Sequence, residues 1–143
     1  MRKTLPDTLS PPRTRLAAEH RALESDLFEV AHRLADHRLD DAEFAFSVLD
    51  RRLRDHMAVE EETLFPVIDS WLDGEGGFAA PLRRDHDAIR QLLGEVSAAL
   101  GGRERDAALM ALSQLATCVG EHSDREDEVL YPAAESVSSA FER

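Results

Sequence analysis

The sequence predicts an all-α protein, an up-down-up-down bundle of four helices with a short C-terminal extension. Aromatic residues make up only 6% of the 143 residues, and Ala, Leu, Glu, Asp and Arg are abundant, a composition typical of helical proteins. Apolar residues recur every three to four positions in four segments, as they do on the buried faces of helices. The second half also repeats the first at a shift of 66 residues, which indicates two copies of one helical hairpin.

The length and composition predict a single domain. We divide the chain into an N-terminal leader at 1–12, the bundle at 13–135 and a tail at 136–143. The net charge of −12 argues against nucleic acid and membrane partners, because both repel an acidic surface. The single Cys118 excludes an internal disulfide and a thiolate metal cluster and is predicted to be a small buried residue. Without a signal peptide or membrane span, we expect a cytoplasmic protein.

The first helix is predicted to begin at residues 10–12, where Ser-Pro-Pro suits a helix start, and to run to about Asp36. His20 lies within its apolar stripe, a position where an isolated His is most often a hydrogen-bonded core residue. His32 and His37 have no counterpart in the repeat and are predicted to face solvent. The predicted inward residues are Leu16, His20, Leu23, Leu27, Val30 or Ala31, and Leu34.

The second helix is predicted to begin after Asp40, which with Glu43 forms a capping box. Glu60 falls in its inward stripe, and a buried carboxylate is costly unless its charge is compensated. Pro66 is expected to kink or end this helix, with a further turn open as far as Trp71. The predicted inward residues are Leu49, Leu53, His56, Glu60, Thr63 and Val67.

A glycine-rich loop at 73–77 is predicted to separate the two hairpins. The third helix covers about 78–100 and is ended by two glycines. The fourth helix, with Asp106 as its cap, runs to about Tyr131, and a short helix to Phe141 can follow. The predicted inward residues are Leu82, His86, Ile89, Leu93, Val96 and Leu100 in the third helix, and Leu112, Leu115, Val119, His122, Glu126 and Val129 in the fourth.

A His and a Glu four residues apart occur twice, as His56 with Glu60 and as His122 with Glu126, and each pair is followed by Leu, an aromatic residue and Pro. Residues four apart lie on one face of a helix. The repeat also aligns two further histidines, one in the first helix and one in the third. Counted from the turns, all four histidines lie at nearly the same height in antiparallel neighbours. Four imidazoles and two carboxylates are therefore predicted to meet at one level of the core. The six residues are His20, His56, Glu60, His86, His122 and Glu126.

This set of ligands exceeds what one tetrahedral zinc needs and fits two octahedral cations that share carboxylates and keep positions open for a small ligand. A ferritin-like site uses Glu-x-x-His, but the residues three before the histidines are Ala17, Leu53, Arg83 and Val119. A haem bound by two of the histidines is an alternative, although it would leave the buried charges of Glu60 and Glu126 unexplained.

The doubled pattern resembles the hemerythrin-like (HHE cation-binding) family over about residues 13–135. The resemblance implies a four-helix bundle that holds an oxo- or hydroxo-bridged di-iron centre. It implies that the four histidines are terminal iron ligands, and that Glu60 and Glu126 bridge the irons. Asp127 is a less favoured substitute for Glu126.

The chain departs from the oxygen-carrying members of that family at Arg90, where they have a further His. One nitrogen ligand fewer implies a more open iron, which favours reaction with peroxide or nitric oxide, or iron sensing, over reversible oxygen carriage. Glu24, the repeat counterpart of Arg90, is hypothesised to reach the metal or to pair with Arg90; a solvent-facing position for both is the other reading.

The resulting prediction is a di-iron protein that binds or reacts with dioxygen, peroxide or nitric oxide. An iron- or oxygen-sensing interaction module and a metal-storage or buffer protein remain open, since ligands alone do not distinguish binding from turnover. Glu61, Glu62 and Glu128 are predicted to be solvated. Phe65 and Tyr131 are expected to pack the bundle end, with a redox or ligand role as the second reading for Tyr131.

Overall fold

The computed structural model describes residues 13–72 and 77–142. The predicted helix start at 10–12, the leader, the side chain of Leu16 and residues 73–76 of the glycine-rich loop predicted at 73–77 lie outside the described part of the chain. The elements are α1 (Arg13–Ala35), α2 (Leu39–Val59), a first π-helical turn (Glu60–Leu64), α3 (Phe65–Leu72), α4 (Ala80–Gly101), α5 (Arg105–Arg125), a second π-helical turn (Glu126–Leu130) and α6 (Tyr131–Glu142).

Four long helices form the bundle. Helix α1 packs against α2 and α5, and α4 packs against α5 and α2, so that the four helices close a ring. Helices α2 and α5 continue through the π-helical turns into α3 and α6, and these two extensions also pack together. The predicted all-α four-helix bundle is therefore confirmed. Among the helices of the described ranges, none has the length and apolar character that crossing a bilayer requires.

The turns that join α1 to α2 and α4 to α5 share one geometry. His37 and Arg103 have φ values of 59° and 56°, the left-handed conformation that commonly terminates a helix. The next helix begins so soon afterwards that Asp40 and Asp106 fall in its first turn, and no described side chain caps either helix. The predicted capping roles of Asp40 and Asp106 are therefore wrong. Their carboxylates instead interact favourably with the positive N-terminal ends of the helix dipoles.

Two apolar clusters fill the interior. The larger lies within the four long helices and includes Leu49 and Leu93. The smaller lies where α3 and α6 meet and includes Phe65 and Tyr131, as predicted for the bundle end. Residues that belong to neither cluster lie between the two along α4, α5 and the π-helical turns, and they include His86, His122, Glu126 and Glu60. The polar level of the bundle is thus enclosed between apolar layers.

Each motif glutamate begins a π-helical turn. The backbone N–H of Phe65 donates to the carbonyl of Glu60, and that of Tyr131 donates to the carbonyl of Glu126, five residues back instead of four. A proline follows each aromatic residue. Because Pro66 has no N–H and its ring would clash with the carbonyl four residues earlier in an α-helix, the wider turn accommodates it. Of the outcomes expected at Pro66, an end of the helix is wrong: the helix widens and continues as α3 to Leu72, in line with the further turn expected as far as Trp71.

The wider turn moves the buried face forward by one residue. Beyond each motif the α-helical stripe predicted by sequence is therefore wrong, because a π-helical turn contains one extra residue. On the shifted face Leu64, Ile68 and Leu130 are buried, each one position after the predicted Thr63, Val67 and Val129.

This shift predicts very different losses of stability for substitutions at two neighbouring residues. We expect Leu130→Ala to lower the free energy of unfolding of the cation-free protein by about 2–5 kcal/mol, because it leaves a cavity in the smaller cluster. Val129 is 46% exposed, so Val129→Ala should change it by less than about 0.5 kcal/mol. Urea denaturation measures both, and equal losses would contradict the shifted face.

Candidate metal centre

The structure brings the six predicted residues together in the middle of the bundle. One histidine comes from each long helix, and one glutamate comes from the start of each π-helical turn. The side chain of His56 is 10% exposed, and the other five residues are buried. The six are His20 on α1, His56 on α2, Glu60, His86 on α4, His122 on α5 and Glu126.

The ligand atoms form two groups of three. In each group, two imidazoles and one carboxylate place one atom each within 4.8 Å of the others. In each group the two histidines come from one copy of the repeat and the carboxylate comes from the other copy. The first group is His20, His56 and Glu126, and the second is Glu60, His86 and His122.

Each carboxylate also faces imidazoles of both groups. Glu60 Oε1 lies 3.1 Å from Nε2 of His86, and Glu60 Oε2 lies 3.5 Å from Nε2 of His56. Glu126 Oε1 lies 3.3 Å from Nε2 of His122 and 3.4 and 3.5 Å from the two imidazoles of its own group. The two carboxylates thus link the groups into one centre.

A second layer of carboxylates lies behind the histidines and faces their Nδ1 atoms. This arrangement favours the tautomer with the proton on Nδ1, in which the lone pair of Nε2 points towards the centre. The shift of 66 residues places Glu19 on Asp85 and Glu61 on Asp127, so the repeat could have revealed this layer. The pairs are Glu19 with His56 at 3.5 Å, Glu61 with His86 at 2.7 Å, Asp85 with His122 at 3.1 Å and Asp127 with His20 at 3.6 Å.

The acidic residues of the motifs therefore divide by function. Glu62 and Glu128 are exposed, as predicted. The prediction that Glu61 is merely solvated is wrong, because the first π-helical turn directs it at His86. Asp127, with its side chain 57% exposed, faces the outer nitrogen of His20, so it stands behind the centre and does not replace Glu126.

Two arginines stand behind the second group. Arg90 contacts the Glu61 carboxylate, and Arg125 donates to both oxygens of Asp85 at 2.9 and 3.0 Å. The hypothesised pairing of Arg90 with Glu24 is wrong. Glu24 is exposed and belongs to neither group, because it follows the buried Leu23 on α1 and projects away from the core.

The electrostatics of the centre favour a cation. Burial alone would raise the pKa of Glu60, but hydrogen bonds with His122 and His86 and the nearby His56 outweigh it and lower that pKa to about 2. Burial and His56 lower the pKa of His20, which favours the neutral, ligating form. Burial is also the main cause that raises the pKa of Tyr131, so its hydroxyl stays protonated.

Several carboxylate oxygens and imidazole nitrogens of the two groups lack good hydrogen-bond partners without a cation. Glu60 Oε2 and Glu126 Oε2 are buried and have no hydrogen-bond partner among the described residues. Nε2 of His86 lies 3.0 Å from Nε2 of His122, which brings together two lone pairs when both rings are neutral. Buried polar atoms are normally paired, and nitrogen and carboxylate donors at these positions suit a transition-metal cation. The residues therefore fit a bound metal.

The second layer predicts a specific loss of metal affinity. Glu61→Gln should lower the affinity about 10–100-fold, because a neutral amide orients and polarises His86 less well than a carboxylate does. Glu62→Gln, at the exposed neighbouring position, is the matched control and should leave the affinity unchanged. Competition with a chelator of known affinity measures both variants, and an unchanged Glu61→Gln affinity would contradict the role of Glu61.

Comparison with known protein families was consistent with this geometry. Residues 12–138 match the family model described as the Hemerythrin HHE cation binding domain. No curated protein and no solved structure matches the chain.

Proposed function

This chain belongs to the hemerythrin HHE cation-binding domain family, and from that premise we propose that it is a non-haem di-iron protein that binds or reacts with a small ligand, namely dioxygen, peroxide or nitric oxide. The observation that carries the proposal is the pair of three-residue groups linked by Glu60 and Glu126. A centre for one cation would need only one such group.

Each group would hold one iron. His20 and His56 would bind the first and His86 and His122 the second, while the two glutamates span both. The bound irons would supply redox chemistry and Lewis acidity.

The protein's own contribution is to position the ligands and exclude bulk water. The second-layer carboxylates hold each imidazole in one orientation, and the apolar clusters on both sides keep the centre dry. Arg90 occupies the position where the oxygen-carrying members have a further histidine, and it is turned towards Glu61. With Arg90 at that position, each group has only two imidazoles, so both halves of the centre have room for an external ligand. This supports reaction with peroxide or nitric oxide over reversible oxygen carriage.

The test is reconstitution of the purified protein with ferrous iron under anaerobic conditions. We expect about two irons per chain by elemental analysis, and charge-transfer absorption that changes when peroxide, nitric oxide or azide is added. Uptake of iron with no spectral response to any of these would indicate storage or buffering instead. Failure to take up iron would contradict the proposal outright.

A further inference from the structure

The two halves of the centre differ at one equivalent position of the repeat. The hydroxyl of Tyr131 lies 3.1 Å from Nε2 of His20 in the first group. Its repeat counterpart Phe65 stacks on His86 of the second group, with ring centroids 5.3 Å apart. One half-site therefore has a hydrogen-bond donor at its inner surface where the other has only carbon.

The hydroxyl of Tyr131 contacts the same ring nitrogen that a cation would use. Nε2 of His20 also lies 3.4 Å from Glu126 Oε1, so it is the nitrogen that faces the centre. A cation on Nε2 would occupy that nitrogen, and the hydroxyl of Tyr131, a residue that is 3% exposed, would lose its partner. A buried donor without a partner is costly, so the loaded centre needs a new acceptor beside Tyr131.

Resting on the proposed function, we propose that Tyr131 directs the small ligand to the His20 half of the centre by donating a hydrogen bond to it. The acceptor is a small anion bound to the cation held by His20, His56 and Glu126. Tyr131 is a positioning residue for that ligand and does not itself bind the cation.

The surroundings of the two halves support this choice. Asp127 and Glu19, behind the first group, have side chains 57% and 44% exposed, against 25% and 18% for Glu61 and Asp85 behind the second. The second group is further closed by the arginines that bind its outer carboxylates. Among the described side chains, the outer carboxylates of the first group are therefore the less covered ones.

The test is azide binding to the iron-loaded protein, followed by the charge-transfer absorption. Tyr131→Phe should keep its full iron content and raise the dissociation constant for azide about tenfold, the effect of one lost hydrogen bond to a charged acceptor. Phe44→Leu removes an aromatic ring that is 68% exposed and lies outside both groups, so it should change that constant less than twofold.

Three results would overturn the inference while leaving the proposed function standing. The first is full iron content with unchanged azide affinity in Tyr131→Phe, which would mean that the hydroxyl turns to Glu126 or another internal acceptor. The second is a phenolate-to-iron absorption band in the unmodified protein that Tyr131→Phe lacks, or loss of iron from that variant, since either makes Tyr131 a ligand. The third is an iron-loaded protein that binds no azide. Failure of the unmodified protein to take up iron would instead reject the proposed function itself.

Discussion

Replacing Glu126 by Leu is expected to stabilise the cation-free protein and to destabilise the iron-loaded protein. Glu126 is 0% exposed, and one of its oxygens has no hydrogen-bond partner among the described residues. Without a cation, that buried charge is a cost that an apolar residue of similar size removes, and the facing histidines can lose their protons so that no charge is stranded. Replacement of buried ionic groups in this way often gains about 1–4 kcal/mol.

With iron bound, the same substitution removes a ligand. A cation at a thousand times its dissociation constant adds about 4 kcal/mol to the free energy of unfolding, and two such cations add about 8 kcal/mol. Glu126→Leu removes the carboxylate of the first group and one of the two that would span both cations, so we expect it to lose at least the contribution of one cation. The same substitution at the exposed neighbour, Glu128→Leu, should show no reversal. Urea denaturation with and without iron gives all four values, and a Glu126→Leu effect of the same sign in both states would contradict the account.

The second large effect is expected at His86. This residue is 0% exposed, and its two ring nitrogens contact Glu60 and Glu61. His86→Ala removes the inner ligand and takes one partner from each carboxylate, so the affinity of the second group should fall more than about 100-fold, beyond the loss typical of an outer partner alone. At stoichiometric iron we expect one iron per chain instead of two.

His32 provides the matched control for His86. It lies on α1 with its side chain 54% exposed and pairs with Asp36 outside the centre. His32→Ala should therefore retain the full iron content. Elemental analysis after gel filtration measures both variants, and two irons in His86→Ala, or a loss in His32→Ala, would contradict the assignment of ligands.

The features that repeat along the chain were predictable from sequence. One shift of 66 residues pairs His20 with His86 and His56 with His122, and helical rise from the turns places all four at one height. The structure brings them together as predicted. The bundle followed from the same periodicity, because a stripe of apolar residues at helical spacing must be buried against other helices.

The features that sequence reasoning missed depend on local backbone geometry. The stripe beyond Glu60 and Glu126 was extended at α-helical spacing, whereas the π-helical turns insert one residue and bury Leu64 and Leu130. That insertion also turns Glu61 from an expected surface position towards His86. Periodicity alone does not register one extra residue, although a proline in the same place in both copies was a signal for it.

The most direct test of the central claim is anomalous diffraction at the iron edge from crystals of the iron-loaded protein. The account predicts two peaks in the bundle interior, one within bonding distance of His20, His56 and Glu126 and the other within bonding distance of Glu60, His86 and His122. A single peak, peaks at other side chains, or a folded protein that stays free of iron in its presence would contradict it.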